Sequence, residues 1–136
     1  MAGYSGTPLI TKIGVKHGDR LFFVNEPAHF RSILGALPDD AHVVSKAAGE
    51  INLAVVFANS AADLKKHFAR SASRLAQDGM LWIAWPKKSS GLATDLNENV
   101  VREIGLTQGL VDTKVCAIDE TWSGLRFVIR LKDRKR

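Results

Sequence analysis

The most ligand-like stretch of the chain runs from Pro86 to Gly91 and reads Pro-Lys-Lys-Ser-Ser-Gly. Lys87 and Lys88 supply two ammonium groups, and Ser89 and Ser90 supply two hydroxyls, in a turn that precedes a predicted helix. Donors of these types grouped at a turn are able to hold an anion. A plain solvated loop explains the same residues equally well, because Lys and Ser are common in exposed turns.

A second group of reactive side chains lies between the last two predicted strands, where Asp119, Glu120 and Trp122 fall within four residues. A carboxylate here could accept a proton or pair with Lys87 or Lys88. The alternative is a turn whose acids cap backbone amides and whose Trp122 packs over a neighbouring helix. We favour the turn and keep the site as an open hypothesis.

The loop after the first predicted central strand reads Asn25-Glu26-Pro27. A dinucleotide-binding domain places glycines there, because only glycine lets the backbone approach a pyrophosphate at a helix start. Pro27 removes an amide that would bind phosphate, and the Glu26 carboxylate repels it. The sequence therefore disfavours ordinary NAD or ATP binding, and it leaves Asn25 as the one residue of this loop that we count among the candidates.

The sequence predicts neither a metal site nor a reactive thiol. The four histidines show no metal-ligand spacing and have no cysteine nearby, so we predict no metal site. Cys116 is the lone cysteine and lies inside a predicted strand, which favours a packing role over a nucleophilic one. A single cysteine also agrees with a reducing compartment.

The elements that must position these residues alternate along the chain. Nearly continuous apolar runs predict buried strands over Arg20 to Asn25, Ile51 to Ala58 and Met80 to Pro86, with a short strand over His42 to Ser45. Helical patterns separate most of them. The fold class predicted is therefore α/β: a three-layer, Rossmann-like domain whose mainly parallel sheet has helices on both faces.

Capping chemistry predicts where two helices begin and end. Ser60 with Asp63 resembles a capping box and opens a helix that Asp78-Gly79 would stop. Thr94 would cap the next helix, and Gly105 would end it.

The end of the sheet is predicted as a hairpin. Two strand patterns, over Leu110 to Ile118 and Leu125 to Leu131, would pair so that the last strand is antiparallel. The link from Ser45 to Ile51 is too short for a helical crossover, which leaves the topology there open.

Ligands of open parallel sheets bind where the strands end. The residues just after the predicted strands should therefore converge, although they are far apart in sequence. The predicted ligand-binding residues are Asn25, Lys87, Lys88, Ser89, Ser90, Asp119, Glu120 and Trp122. No catalytic residue and no cofactor is assigned.

Charge and composition bound the partners. The net charge is +5, and residues 130–136 hold five basic residues and one acid, so that +4 lies in this basic segment. A frayed, solubilising end is the favoured explanation, and nucleic acid is a disfavoured partner. At 136 residues and 46% hydrophobic, the chain is predicted to be one domain over residues 1–136. No apolar stretch suits a bilayer and the first residues do not read as a secretory signal, so we expect a cytoplasmic protein that does not meet a membrane.

Three stretches carry a resemblance to a known family: Trp82 to Gly91, Thr94-Asp95-Leu96, and Asp119 to Arg130. With them the chain resembles a family of short bacterial proteins described only as a domain of unknown function. The resemblance runs from about Tyr4 to Asp133 and implies no activity and no functional residues. The layout is also similar to a shortened methyltransferase-type sheet, an analogy of fold that does not confer function.

Three hypotheses follow. The first is a non-catalytic binding or interaction domain that holds a small anionic ligand or a protein segment at the strand ends. The second is an enzyme with a degenerate methyltransferase-like site, in which Glu120 or Asp119 is the base and Lys87 or Lys88 stabilises negative charge. The third is nucleic-acid binding through the basic segment 130–136. We lean toward the first, and the oligomeric state is left open.

Overall fold

A six-stranded sheet organises the part of the chain that the computed structural model describes, residues 7–45 and 49–135. Its strands stand in the order β2-β1-β3-β4-β6-β5. Their bounds are β1 (Arg20–Val24), β2 (His42–Val43), β3 (Ile51–Phe57), β4 (Leu75–Pro86), β5 (Leu110–Ala117) and β6 (Trp122–Ile129).

The sheet is mainly parallel. β1 pairs in parallel with β2 on one side and with β3 on the other, and β3 pairs in parallel with β4. β6 is antiparallel to both β4 and β5. The predicted antiparallel last strand is confirmed. The sequence left the topology around Ser45 to Ile51 open. In the structure β2 and β3 lie on opposite sides of β1, and residues 46–48 of the link between them lie outside the described residues.

Four helices cover the two faces of this sheet: α1 (Leu9–Ile13), α2 (Phe30–Leu34), α3 (Ala61–Ala72) and α4 (Glu98–Thr107). One apolar core lies between the sheet and the side of α1 and α2, where Trp82 and Phe57 are buried. The other lies on the side of α3 and α4, where Phe68 and Phe127 are buried. Because β3 and β4 are covered on both faces, their sequences are almost continuously apolar. The three-layer, Rossmann-like fold class is confirmed.

The start of α3 follows the predicted capping chemistry, but its end does not. Ser60 Oγ accepts the backbone amide of Asp63 at 3.2 Å, as the capping pattern predicts. The helix ends at Ala72, and Leu75 already pairs with Ile51 in the sheet. The expectation that Asp78-Gly79 stops the helix was wrong. Both residues lie within β4, in a stretch where the pairing of β4 with β3 is irregular.

The prediction for α4 was wrong at both ends. Asn97 is the N-cap, and its side chain accepts the amide of Val100 at 2.9 Å. Thr94 Oγ1 instead accepts the amide of Leu96 at 3.0 Å and donates to the carbonyl of Asn59 at 2.8 Å, so it shapes the loop before the helix. Gly105 lies inside the helix. A glycine is needed at this position because a Cβ would overlap the ring of Phe127.

Two further expectations need correction. Trp122 belongs to β6 and pairs with Pro86, whereas the sequence placed it in the connection between the strands. The described part of the basic segment is folded back on the domain: Arg134 Nε donates to the carbonyl of Ile129 at 3.1 Å, and the amide of Lys135 donates to Gln77 Oε1 at 2.8 Å. These bonds replace the frayed end that its charge suggested.

A membrane span would need a long, continuously apolar helix. None of the helices in residues 7–45 and 49–135 meets that requirement.

Candidate functional site

The carboxyl edge of the sheet, where the parallel strands end, gathers the loops that the sequence singled out. The segment beginning at Asn25 follows β1, Asn59 follows β3, and Lys87 follows β4. The turn between β5 and β6 lies at the same edge, because the amide of Lys87 donates to the carbonyl of Thr121 at 2.7 Å. The loops therefore share an edge, as parallel strands require.

The loop after β1 offers little to a phosphate. Asn25 is exposed and has a left-handed backbone with φ of 56°. The carboxylate of Glu26 accepts a hydrogen bond from Arg31 Nε at 2.7 Å, and this bond raises the pKa of the Arg31 guanidinium. Pro27 has no amide, and its carbonyl accepts the amide of Phe30 at 3.0 Å. At the position where a phosphate loop presents free amides, this chain has Glu26, whose carboxylate is already bound by Arg31, and Pro27.

Aromatic rings pack beneath that loop on the side of α1 and α2. Phe30 meets Phe23 and Phe57 edge-to-face, with centroids 5.0 and 4.9 Å apart. Phe57 in turn meets the ring of Trp122 at 5.1 Å. The indole of Trp122 therefore belongs to a row of core rings that crosses the ends of β1, β3 and β6.

Asp119 shapes the β5–β6 turn. Its Oδ1 accepts the amides of Thr121 and Trp122, each at 2.8 Å, and its Oδ2 lies 2.9 Å from His29 Nε2. The Asp119 side chain is 13% exposed, so both of its oxygens are used by the protein and little of it meets solvent. Glu120 beside it is exposed, and its carboxylate has no partner within the described ranges.

The loop after β4 is shaped by a serine and presents two lysines. Ser90 Oγ donates to the carbonyl of Lys87 at 2.7 Å and accepts the amide of Leu92 at 3.2 Å. Ser89 is exposed. Lys87 is half-buried and Lys88 is exposed, and neither ammonium forms an ion pair with any residue in 7–45 or 49–135. Ser90 is therefore a loop-forming residue, and the free donors are Lys87, Lys88 and Ser89.

A groove of about 550 Å³ opens between this loop and the start of α4; we call it the β4-end groove. Lys87 and Lys88 lie on its wall together with polar groups of Thr94, Asn97 and Ser123. Its apolar wall is formed by Trp85, Leu92 and Leu96. Glu98 also borders the groove, and its carboxylate accepts a hydrogen bond from Arg102, whose guanidinium it shares with Asp112.

The predicted site residues thus fall into two groups on opposite sides of the sheet. Lys87 and Lys88 line the β4-end groove on the side of α4. Asp119 and Trp122 face the side of α2 through their contacts with His29 and Phe57. The backbone brings the two groups to one edge, and their side chains lie on the two sides of the sheet there.

Two contributors were missed by sequence reasoning. Asn97 lines the β4-end groove, and its signal was an amide directly before an acidic first helical turn. His29 meets Asp119 across the edge, and no local sequence signal marks that contact. In the part of the chain that the structure describes, no three His, Cys, Asp or Glu side chains are grouped so that they could hold a metal ion.

Comparisons with known proteins bear on this arrangement. A family model described as "Protein of unknown function (DUF3052)" matches residues 39–131. None of the curated proteins matches the chain.

Several solved structures share the fold. A SAM-dependent methyltransferase from Aquifex aeolicus matches with a TM-score of 0.63 at 12% identity, covering 90% of this chain and 88% of that one. The fibrillarin pre-rRNA processing protein of Methanococcus jannaschii also gives 0.63, at 11% identity, covering 90% and 69%. The magnesium protoporphyrin IX methyltransferase of Synechocystis PCC 6803 with bound SAM gives 0.57 at 11% identity, covering 90% and 74%. At these identities the likeness shows the fold alone: a methyltransferase-like, Rossmann-type layout.

Proposed function

Since the chain belongs to the family of proteins of unknown function DUF3052, which assigns no activity, we propose from its geometry that it is a non-catalytic binding domain for a small anionic ligand. The β4-end groove holds this ligand, and Lys87 and Lys88 bind its negative charge. The observation that carries the proposal is the pair of lysines on the groove wall, neither of which has a carboxylate partner in the described ranges.

The chemistry of the groove supports this assignment. Two ammonium groups without counter-ions attract a carboxylate or phosphate, and a partly enclosed wall strengthens that attraction because it excludes water. The start of α4 adds the positive end of a ten-residue helix whose N-cap is Asn97. Leu92, which is 52% exposed, offers a surface for an apolar body. A volume of about 550 Å³ lies within the usual range of small-molecule sites.

We place the site at the end of β4 because acidic side chains and a proline occupy the loops at the end of β1 and between β5 and β6. Glu26 and Pro27 oppose a phosphate at the end of β1, and Asp119 is already bound by the protein. The proposed ligand therefore lies at the end of β4, away from the loop that usually holds a nucleotide phosphate.

Thermal unfolding and calorimetry with three probes test the proposal: inorganic phosphate, citrate and adenosine 5′-monophosphate. A probe present at a hundred times its dissociation constant stabilises the protein by about 2.7 kcal/mol. We expect at least one probe to do so, and the double variant Lys87→Ala/Lys88→Ala to lose the effect.

The matched control is Lys65→Ala/Lys114→Ala, which removes the same charge from exposed positions outside this groove. It should keep the wild-type response. Equal loss in both double variants, or no response of the wild-type protein to any probe, contradicts the proposal.

A second candidate is a methyltransferase-like enzyme, and the likeness to SAM-dependent methyltransferases favours it. Glu120 would be the base, since the carboxylate of Asp119 is occupied by His29 and two amides. Lys87 or Lys88 would stabilise negative charge. This candidate ranks second because the loop Asn25-Glu26-Pro27 has neither glycines nor free amides to offer a cofactor. It also needs the turn that carries Glu120 and the lysines in one site, whereas Asp119 and Trp122 of that turn face the other side of the sheet.

Calorimetry with S-adenosylmethionine separates the two candidates. Heat of binding that survives Lys87→Ala/Lys88→Ala but is lost in Glu26→Arg would assign a methyl-donor site to the end of β1. If S-adenosylmethionine gives no heat of binding, the methyltransferase-like candidate is contradicted and the binding-domain proposal is unaffected.

The remaining expectations stay proposals. We propose that residues 1–136 fold as one domain and that the protein works in the bacterial cytoplasm, where its lone Cys116 stays reduced. A protein segment is the alternative occupant of the β4-end groove. Cell fractionation and limited proteolysis test the first two statements: a periplasmic protein, or two separately stable fragments, would contradict them.

A further inference from the structure

The amino edge of the sheet, where the parallel strands begin, carries basic residues from two segments of the chain. The basic segment after β6 lies here, with a short 3-10 helix at Leu131–Asp133. Arg134 and Lys135 are anchored to Ile129 and Gln77, so these cations are held against the domain. An anchored cation contributes more to binding than one on a mobile tail, because less side-chain and backbone entropy is lost when a partner arrives.

The end of α3 brings a second set of cations to the same edge. α3 runs opposite to the parallel strands, since it starts after β3 at the carboxyl edge and ends before β4 at the amino edge. The carbonyl of Arg74 accepts the amide of Ile51, the first residue of β3, at 2.8 Å. Arg70 stands one helical turn earlier and is exposed. Two sequence-distant basic segments thus meet at the amino edge.

The charge of this surface is not neutralised internally. Residues 70–79 and 130–135 together contain six cations and two acids, Asp78 and Asp133. Within residues 7–45 and 49–135, none of the six forms an ion pair. We call these six residues the amino-edge surface: Arg70, Arg74, Arg130, Lys132, Arg134 and Lys135.

Arg130 belongs to this surface and carries one buried donor without an acceptor. Its Nε is buried and has no hydrogen-bond partner, although the residue as a whole is half-exposed. A buried guanidinium donor without an acceptor is costly, and buried donors are paired in most native structures. Nε itself is closed to solvent, so a phosphate at this edge would meet the exposed part of the Arg130 side chain, and arginine and phosphate match in geometry.

We propose that the amino-edge surface binds the phosphate backbone of single-stranded nucleic acid without reading its sequence. The cations are spread over an open edge contributed by two segments, which fits a line of phosphates better than one compact anion. A membrane surface fits less well, because a binding face for lipid needs a broad apolar stripe and Leu131 stands alone among the cations. The proposal is independent of the β4-end groove, which lies at the opposite edge of the sheet.

Fluorescence anisotropy of the full chain with a labelled 20-nucleotide single-stranded DNA of mixed sequence tests the proposal, at salt concentrations from 50 to 200 mM. Each phosphate contact on a single strand contributes about 0.7 to the slope of log affinity against log salt. We expect Lys132→Gln/Lys135→Gln to reduce that slope by about 1.4, and to weaken binding about tenfold at 50 mM salt. The charge-matched Lys65→Gln/Lys114→Gln should keep both the wild-type slope and the wild-type affinity.

Lysine acetylation read by mass spectrometry gives a second measurement on the unaltered protein. The oligonucleotide should protect Lys132 and Lys135 and leave Lys65 and Lys114 reactive. Equal slopes in the two double variants, equal protection at all four lysines, or no binding of the wild-type chain at 50 mM salt overturns the proposal. So does binding to vesicles of anionic phospholipid without binding to the oligonucleotide, which would assign the surface to a membrane.

Discussion

His29 and Asp119 lie 90 positions apart in the sequence, and His29 Nε2 lies 2.9 Å from Asp119 Oδ2. The other carboxylate oxygen accepts the amides of Thr121 and Trp122. One carboxylate therefore shapes the β5–β6 turn and also joins it to the residue just before α2. Both oxygens of the Asp119 carboxylate are therefore engaged by the protein itself.

Removal of the Asp119 carboxylate should destabilise the protein far more than removal of its histidine partner. Asp119→Ala leaves two partly buried amides without their acceptor, and we expect a loss of about 2–3 kcal/mol in the free energy of unfolding. His29→Ala should cost less than about 1 kcal/mol, because the His29 side chain is 55% exposed. Urea denaturation measures both values.

Glu120→Ala is the matched control for Asp119→Ala. Its carboxylate is exposed and has no partner among the described residues, so its removal should stay within about 0.5 kcal/mol. Similar losses for Asp119→Ala and Glu120→Ala would mean that the turn does not depend on the Asp119 hydrogen bonds.

Gly105 is needed for the contact between α4 and β6. A Cβ at this position would overlap the ring of Phe127, which is fully buried. Gly105→Ala should therefore destabilise the protein by about 1–3 kcal/mol, although alanine is the better helix former. Thermal or urea unfolding measures this, with Thr107→Ala on the exposed side of α4 as the near-neutral control. The double variant Gly105→Ala/Phe127→Leu should recover part of the loss, and a stabilising Gly105→Ala would contradict the packing argument.

Local chemistry made some boundaries predictable, and long-range packing decided the others. Ser60 caps α3 as expected, because the bond to the Asp63 amide involves residues three apart. Thr94 has the same capping chemistry, yet its hydroxyl also donates to Asn59, so it forms a loop and α4 begins after Asn97. Gly105 was expected to end that helix, and only the fold shows that Phe127 requires its bare Cα.

The candidate site divides in the same way. Lys87 and Lys88 were predicted from residue type and from their place after a strand, which is local information. The sequence also indicated that Asp119 would cap amides in its own turn, and the structure shows that it does. His29 could not be found, because its partner is 90 positions away and nothing near it marks the contact. Sequence reasoning also placed all candidates at one edge without distinguishing the two sides of the sheet.

The indole of Trp82 should contribute a hydrogen bond as well as volume to the core. Its Nε1 donates to the carbonyl of Ile13 at 2.8 Å, and the side chain is fully buried. Trp82→Phe leaves that carbonyl without its donor, so we expect a loss of about 2–4 kcal/mol, measured by urea denaturation.

Trp85→Phe separates the two contributions to the Trp82 effect. Trp85 is 6% exposed, and its indole has no hydrogen-bond partner in the described ranges, so this variant loses volume alone. It should cost about 1–2 kcal/mol less than Trp82→Phe. Equal losses would show that the bond to Ile13 adds nothing to stability.

Cys116 should be a slow nucleophile in the folded protein. Burial raises the pKa of its thiol, and the positive charges of Lys12, Lys114 and Arg126 only partly offset that effect. Because the thiolate is the reactive form, alkylation by iodoacetamide at pH 8 should be slower in the folded chain than in urea, and its rate should still be rising above pH 9.

The raised pKa of the Cys116 thiol also means that the unfolded chain loses this proton at a lower pH than the folded chain does. The thiol therefore leaves stability unchanged well below about pH 8.5, the pKa of a free thiol, and lowers it as pH rises beyond that value. Urea denaturation of wild type and Cys116→Ala from pH 7 to 10 measures the effect: the difference between them should fall with rising pH, and a constant difference together with equal alkylation rates would show that burial does not perturb this thiol.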